Sequence, residues 1–205
     1  MNPVFPKRRL LAWAALLSVA FLPAQAATLT VNLTSGSDAA VEGAVVYLMS
    51  NQTLKLPVRV PNARIDQINK TFVPTVSVVQ TGTRISFPNK DNIRHHVYSF
   101  SKAKKFEIKL YADTPAKPVL FDQPGYVVMG CNIHDSMIAH VLVVDTPYFA
   151  VSDKRGVAQI LDVPPGEYSL IAWYYMRPDL DAAVTPLKLK TDQRQALVIK
   201  TLSTD

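Results

Sequence analysis

The run Gly130-Cys131-Asn132-Ile133-His134-Asp135-Ser136-Met137 contains the single cysteine of the chain. Its spacing, C-x-x-H-x-x-M, sets a thiol, an imidazole and a thioether on one short loop. Sulfur donors are soft and imidazole is borderline, a set that suits copper held by a short thiolate bond with a weak thioether on its axis. Such a site takes a second imidazole from another segment, and Ile93-Arg94-His95-His96-Val97-Tyr98-Ser99-Phe100 offers two. All four histidines fall between residues 95 and 140.

Competing chemistries fit these residues less well. Zinc accepts Cys and His, but a thioether is a poor zinc ligand. A nucleophilic Cys131 with His134 or His96 as base would need an acidic group to orient the base and an oxyanion site, and no motif supplies them. Seven glycines without a Gly-rich run give no phosphate cradle. The residues therefore point to a metal-binding protein rather than an enzyme. An inert buried thiol is the plain alternative for Cys131. His134 and Met137 on the same loop weigh against it. His140, on the apolar stretch after Met137, reads as a partly buried or surface histidine, and Met129 reads as core.

The compartment bears on the thiol. Lys7-Arg8-Arg9 precede an apolar run from Leu10 to Leu22, and Ala24-Gln25-Ala26 has the small-x-small form of a cleavage site. Residues 1–26 thus read as a secretory signal cut before Ala27. The run is shorter than the ~20 residues that span a bilayer. The expectation is export to a bacterial periplasm, with no stable membrane insertion after cleavage. Exported proteins usually pair their cysteines. An odd one suggests an intermolecular bond, a reactive thiol or a metal ligand.

The formal net charge of +6 includes the three basic residues of the signal, which carries no acid, so cleavage leaves +3. That is too weak a charge to argue for nucleic acid. Lys102, Lys104, Lys105 and Lys109 cluster after the histidine pair and read as a solvated hairpin face, with a docking patch for an acidic partner as the alternative.

The elements that must position these donors are strands. Thr28–Thr34, Ala44–Met49, Val76–Val79, Arg84–Phe87, Val97–Phe100 and Phe106–Leu110 are short apolar or alternating runs bounded by turn residues. So are Tyr126–Met129, Ile138–Val144, Val157–Leu161, Tyr168–Trp173, Leu187–Leu189 and Ala196–Ile199. This spacing predicts an all-β chain of sandwiches. The 15 prolines suit edges and loops. Residues 178–184 have room for no more than a short helical turn.

The centre of the chain resembles the cupredoxins of the plastocyanin and amicyanin branch. The resemblance is carried by Phe72-Val73-Pro74, by Val76-Ser77-Val78 and by Gly82-Thr83-Arg84-Ile85-Ser86-Phe87-Pro88-Asn89-Lys90-Asp91. It continues through His95-His96-Val97, Gly125-Tyr126 and the C-x-x-H-x-x-M loop. It implies a Greek-key cupredoxin β-sandwich over 59–146 with one type 1 copper ion held by His95, Cys131, His134 and Met137. Two departures stand out. The family has Asn where this chain has His96, and strand alternation lets one of His95 and His96 face the metal. The family's aromatic residues before the cysteine are replaced by Val127-Val128-Met129-Gly130.

Residues 27–58 and 147–205 contain neither Cys nor His. They resemble the prealbumin-like, carboxypeptidase-regulatory type of β-sandwich. The residues are Gly43-Ala44-Val45-Val46-Tyr47-Leu48, Asp153-Lys154-Arg155-Gly156, Val163-Pro164-Pro165-Gly166-Glu167-Tyr168 and Trp173. The implied architecture is a discontinuous second sandwich with the cupredoxin inserted, as in proteins associated with methylamine utilisation. The implied function is a periplasmic carrier of single electrons between redox partners, such as a cytochrome or a dehydrogenase. Copper binding or delivery without electron-transfer turnover is the alternative.

Overall fold

The structure is a computed structural model that describes residues 25–115, 117–178 and 182–200. Residues 1–24 of the expected signal and 179–181 of the expected helical turn lie outside the described residues. The strands run β1 Ala27–Ser35, β2 Ala44–Met49, β3 Asn62–Arg64, β4 Asp66–Ile68, β5 Thr71–Val73 and β6 Val76–Gln80. They continue β7 Thr83–Ser86, β8 His95–Ser101, β9 Lys104–Tyr111, β10 Val119–Phe121, β11 Gly125–Gly130 and β12 Ile138–Val144. The last are β13 Phe149–Val151, β14 Val157–Val163, β15 Gly166–Tyr174, β16 Ala183–Leu189 and β17 Gln193–Ile199. A single 3-10 turn at Thr53–Lys55 is the only helical element among the described residues. The chain is all-β, and no described helix is long and apolar enough to cross a membrane.

Alternation sorts the apolar residues into three seams. Val97 of β8, Val127 and Met129 of β11, and Ala139 and Val141 of β12 point to one face of the sheet β6-β12-β11-β8-β9. There they meet Ile85 of β7 and Phe121 of β10, from the sheet β10-β7-β3. A second seam joins Leu29, Val31 and Leu33 of β1 to Val46 and Leu48 of β2 and Leu170 of β15. It lies between the sheets β14-β1-β17 and β13-β2-β15-β16. The third seam packs the two sandwiches together: Leu142 and Val144 of β12 lie against Val45 of β2 and Trp173 of β15.

Strands β2 and β12 are thus buried on both faces. This is why Ala44–Met49 and Ile138–Val144 read as nearly continuous apolar runs instead of alternating ones. The early strands pair with late ones. β1 lies between β14 (antiparallel) and β17 (parallel), and β2 between β13 and β15. Pro186 falls on β16, the edge of its sheet, where a missing N–H is tolerated.

The twelve strands expected from the sequence lie on strands of the structure, with ends that differ by a few residues. Residues 183 and 184, expected to allow a helical turn, instead open β16. Five three-residue strands, β3, β4, β5, β10 and β13, are too short for alternation to reveal.

A candidate metal centre

His95 opens β8, and a network of turns holds it. In the preceding turn Asn89 Nδ2 donates to the carbonyls of Ile93 (2.7 Å) and Tyr111 (3.2 Å), and its Oδ1 accepts the Asp91 N–H at 3.0 Å. That arrangement presents the Asp91 side chain. Asp91 Oδ1 accepts the Asn69 N–H at 2.6 Å, and Oδ2 accepts the Lys70 N–H at 2.9 Å. Asn69 and Lys70 both have left-handed backbones (φ 53° and 56°) at the tip of the β4–β5 hairpin. Two successive amides therefore converge on one carboxylate.

Oδ2 of Asp91 lies 2.7 Å from His95 Nε2. Burial raises the Asp91 carboxyl. The N–H groups of Lys70, His95 and Asn69 outweigh it and hold the group below its ordinary value. With Asp91 ionised, Nε2 is the donor. The lone pair of a neutral His95 then sits on Nδ1. That atom is 3.8 Å from Cys131 Sγ.

Cys131 follows the last residue of β11 and is buried with Met129 and Met137 in the first core seam. The loop closes tightly, because the Met137 N–H donates to the His134 carbonyl at 2.9 Å and the Ile138 N–H to that of Ser136 at 3.1 Å. The turn brings His134 Nδ1 to 4.0 Å from Cys131 Sγ. The rings of His95 and His134 meet edge-on at 5.1 Å. One donor atom from each of His95, Cys131 and His134 thus falls within 4.8 Å of the others. His95 and Cys131 are buried, and His134 is half-buried. Met137 is fully buried beside them, in the same cluster as Cys131.

These separations test the fit of an ion. With bonds of ~2.3 Å to sulfur and ~2.0 Å to nitrogen, S and N lie about 3.5 Å apart at a tetrahedral angle and about 3.7 Å at a trigonal one. The observed 3.8 and 4.0 Å lie nearer the trigonal value than the tetrahedral one. One thiolate and two imidazoles, with Met137 buried in the same cluster as Cys131, make a donor set that fits copper.

The other two histidines stand apart. His96 points to the opposite face of β8, where Nε2 is 3.0 Å from Glu107 Oε1. His140 Nδ1 lies 2.6 Å from the Tyr126 hydroxyl, and its ring packs at 4.6 Å on Tyr175. Burial pushes His140 below the ordinary histidine value.

Sequence reasoning gave no role to Asp91 or Tyr98. The Asn89-x-Asp91 turn before His95 was the available signal for the first. Tyr98 had none: its ring covers Gly130, where an added Cβ would lie 3.0 Å from the hydroxyl. An aromatic from β8 thus packs on the residue before Cys131.

No protein-family model matches the chain, and no curated protein matches it. Solved structures with a similar arrangement of strands include a copper-containing nitrite reductase from Thermus scotoductus SA-01, at 23% identity and a TM-score of 0.37. The match covers 43% of this chain and 22% of the reductase, so this chain accounts for about a fifth of that protein. A purple cupredoxin from Nitrosopumilus maritimus matches at 18% identity and a TM-score of 0.36, over 40% of this chain and 98% of its own. A reduced tryptophan-to-tyrosine variant of amicyanin matches at 14% identity and a TM-score of 0.37, over 48% of this chain and 97% of its own.

Proposed function

We propose that the protein is an exported type 1 copper protein, resident in a bacterial periplasm, that carries single electrons between redox partners. The observation that carries this reading is the convergence of one donor atom from each of His95, His134 and Cys131 within 4.8 Å, with Met137 buried in the same cluster as Cys131. Bound copper would supply a one-electron couple. The residues do the rest. Cys131, His95 and Met137 hold their places in a packed seam, so the donor set need not rearrange between oxidation states. Asp91 fixes the ring of His95 and the tautomer that bares Nδ1. Half-buried His134 forms an edge of the site through which electrons can pass. The partners of this reading are other redox proteins, a cytochrome or a dehydrogenase, and the protein is not itself an enzyme.

Repeated voltammetric cycling of the copper-loaded protein with a copper chelator in solution tests this. An electron carrier keeps its metal and returns the same current on each cycle. Loss of current as copper passes to the chelator contradicts the carrier reading and supports copper delivery.

A further inference from the structure

The outer face of the sheet β6-β12-β11-β8-β9 is covered over only part of its width. Leu142, Val144 and Tyr126 lie under the neighbouring sandwich. Beyond them the same face is bare. Phe100 is 79% exposed, Ile138 45% and Val128 37%. With Tyr98 these side chains line a groove whose wall includes Cys131 and Met137. A solvent-facing aromatic, Phe100, ends a run of ring contacts, His96 to Tyr98 at 5.6 Å and Tyr98 to Phe100 at 5.2 Å, and among the described residues nothing covers its outer side. Contiguous exposed apolar side chains of this kind mark interaction surfaces.

The charges beside it indicate the partner. Lys105 stands directly opposite Phe100 in the β8–β9 register, and Lys102 sits in the connecting turn. Among the described residues neither has an ion-pair partner. Lys104 by contrast is held by Asp122 at 2.8 Å, and the acid of this face, Glu107, is engaged by His96 at 3.0 Å. Asp135 lies on the loop side of the groove. The β8–β9 edge therefore presents free positive charge next to apolar surface. Lys109, exposed on the same face of β9 and also without an ion pair among the described residues, brings the free lysines to three, still fewer than the clusters of about four to eight that hold a protein on an anionic bilayer. A concave apolar strip with a basic edge complements an apolar knob framed by carboxylates.

We propose that the strip formed by Tyr98, Phe100, Val128 and Ile138, with Lys102 and Lys105 on its edge, is the docking face for an acidic redox protein. The face itself rests on the exposed residues; the redox character of the partner rests on the copper reading above. The partner reaches the centre on the Cys131 side of the loop, away from the edge formed by His134.

Amide shift mapping of the 15N-labelled protein, with and without one equivalent of Cu(I), tests the proposal. The probes are an acidic plant-type ferredoxin, a basic cytochrome c and vesicles of anionic lipid. Ferredoxin should shift residues 98–102, 105, 128 and 138 in both metal states, less so at high salt. Phe100→Asp, and separately the double variant Lys102→Glu with Lys105→Glu, should weaken that binding about tenfold, the scale of losing an aromatic anchor. All three positions are exposed, and unchanged dispersion of the remaining amides shows that the fold survives. Shifts centred on Ile133 and His134, equal shifts with cytochrome c or vesicles, or no shifts with ferredoxin overturn the proposal. Localised ferredoxin shifts in a protein that forms no copper–thiolate band leave the docking face standing and overturn the copper reading alone.

Discussion

Asp91 and His95 are joined by a 2.7 Å contact from Oδ2 to Nε2, and this contact turns the opposite ring nitrogen of His95 toward Cys131. The carboxylate is itself fixed by the amides of Asn69 and Lys70, from a hairpin more than twenty positions earlier. A turn distant in sequence thus sets the direction in which a buried imidazole offers its lone pair.

Replacing Asp91 by Asn keeps the shape of the side chain and removes its charge. His95 then loses the acceptor that selects its tautomer. Copper affinity should fall by about 10–100-fold, the usual cost of losing a carboxylate behind a ligating histidine. A competition titration against a chelator of known affinity measures this. Unchanged affinity would remove Asp91 from the account of the site.

His140 gives the fold a pH dependence. Its folded value is depressed by burial, and its Nδ1 accepts from Tyr126 only while neutral. The unfolded chain therefore binds the proton more readily. This contribution is complete above the ordinary histidine value of about 6.5 and is lost as pH falls below it toward the folded value. Thermal unfolding at pH 7.5 and 5.5 should show a larger drop in Tm for the native sequence than for His140→Gln, which keeps an acceptor for Tyr126. An equal drop in both would contradict the assignment.

Gly156 is a backbone requirement of the second sandwich. Its φ is +73°, and an added Cβ would lie 2.3 Å from the Leu33 carbonyl oxygen. Its own carbonyl accepts the Leu33 N–H at 2.7 Å, which locks the turn before β14 onto β1. Gly156→Ala should destabilise the protein by about 2 kcal/mol or more through strain and displaced backbone. Chemical denaturation checks it, and a change under about 0.5 kcal/mol, the range of ordinary surface substitutions, would contradict it.

Much of this was legible in the sequence because it is local. The C-x-x-H-x-x-M loop is a single tight turn, so spacing alone brings Cys131 and His134 together. Strands with both faces buried, β2 and β12, show as apolar runs whatever packs on them. What the sequence hid is non-local. Asp91 takes its role from a hairpin at residues 69–70, and Tyr98 from β11 lying beside β8. Three-residue strands such as β3 and β10 exist only through their pairing with β7. The choice between His95 and His96 needed the face of β8, which the first core seam decides by burying Val97 on the side of His95.

The central claim is that Cys131 binds copper as a thiolate between His95 and His134. Its most direct test is the visible absorption spectrum after one equivalent of Cu(II), for the native sequence and for Cys131→Ser. The account predicts an intense thiolate-to-copper band that a reductant bleaches and an oxidant restores, and that is absent from the Ser variant. Copper bound without that band, or a band that survives in Cys131→Ser, would contradict it.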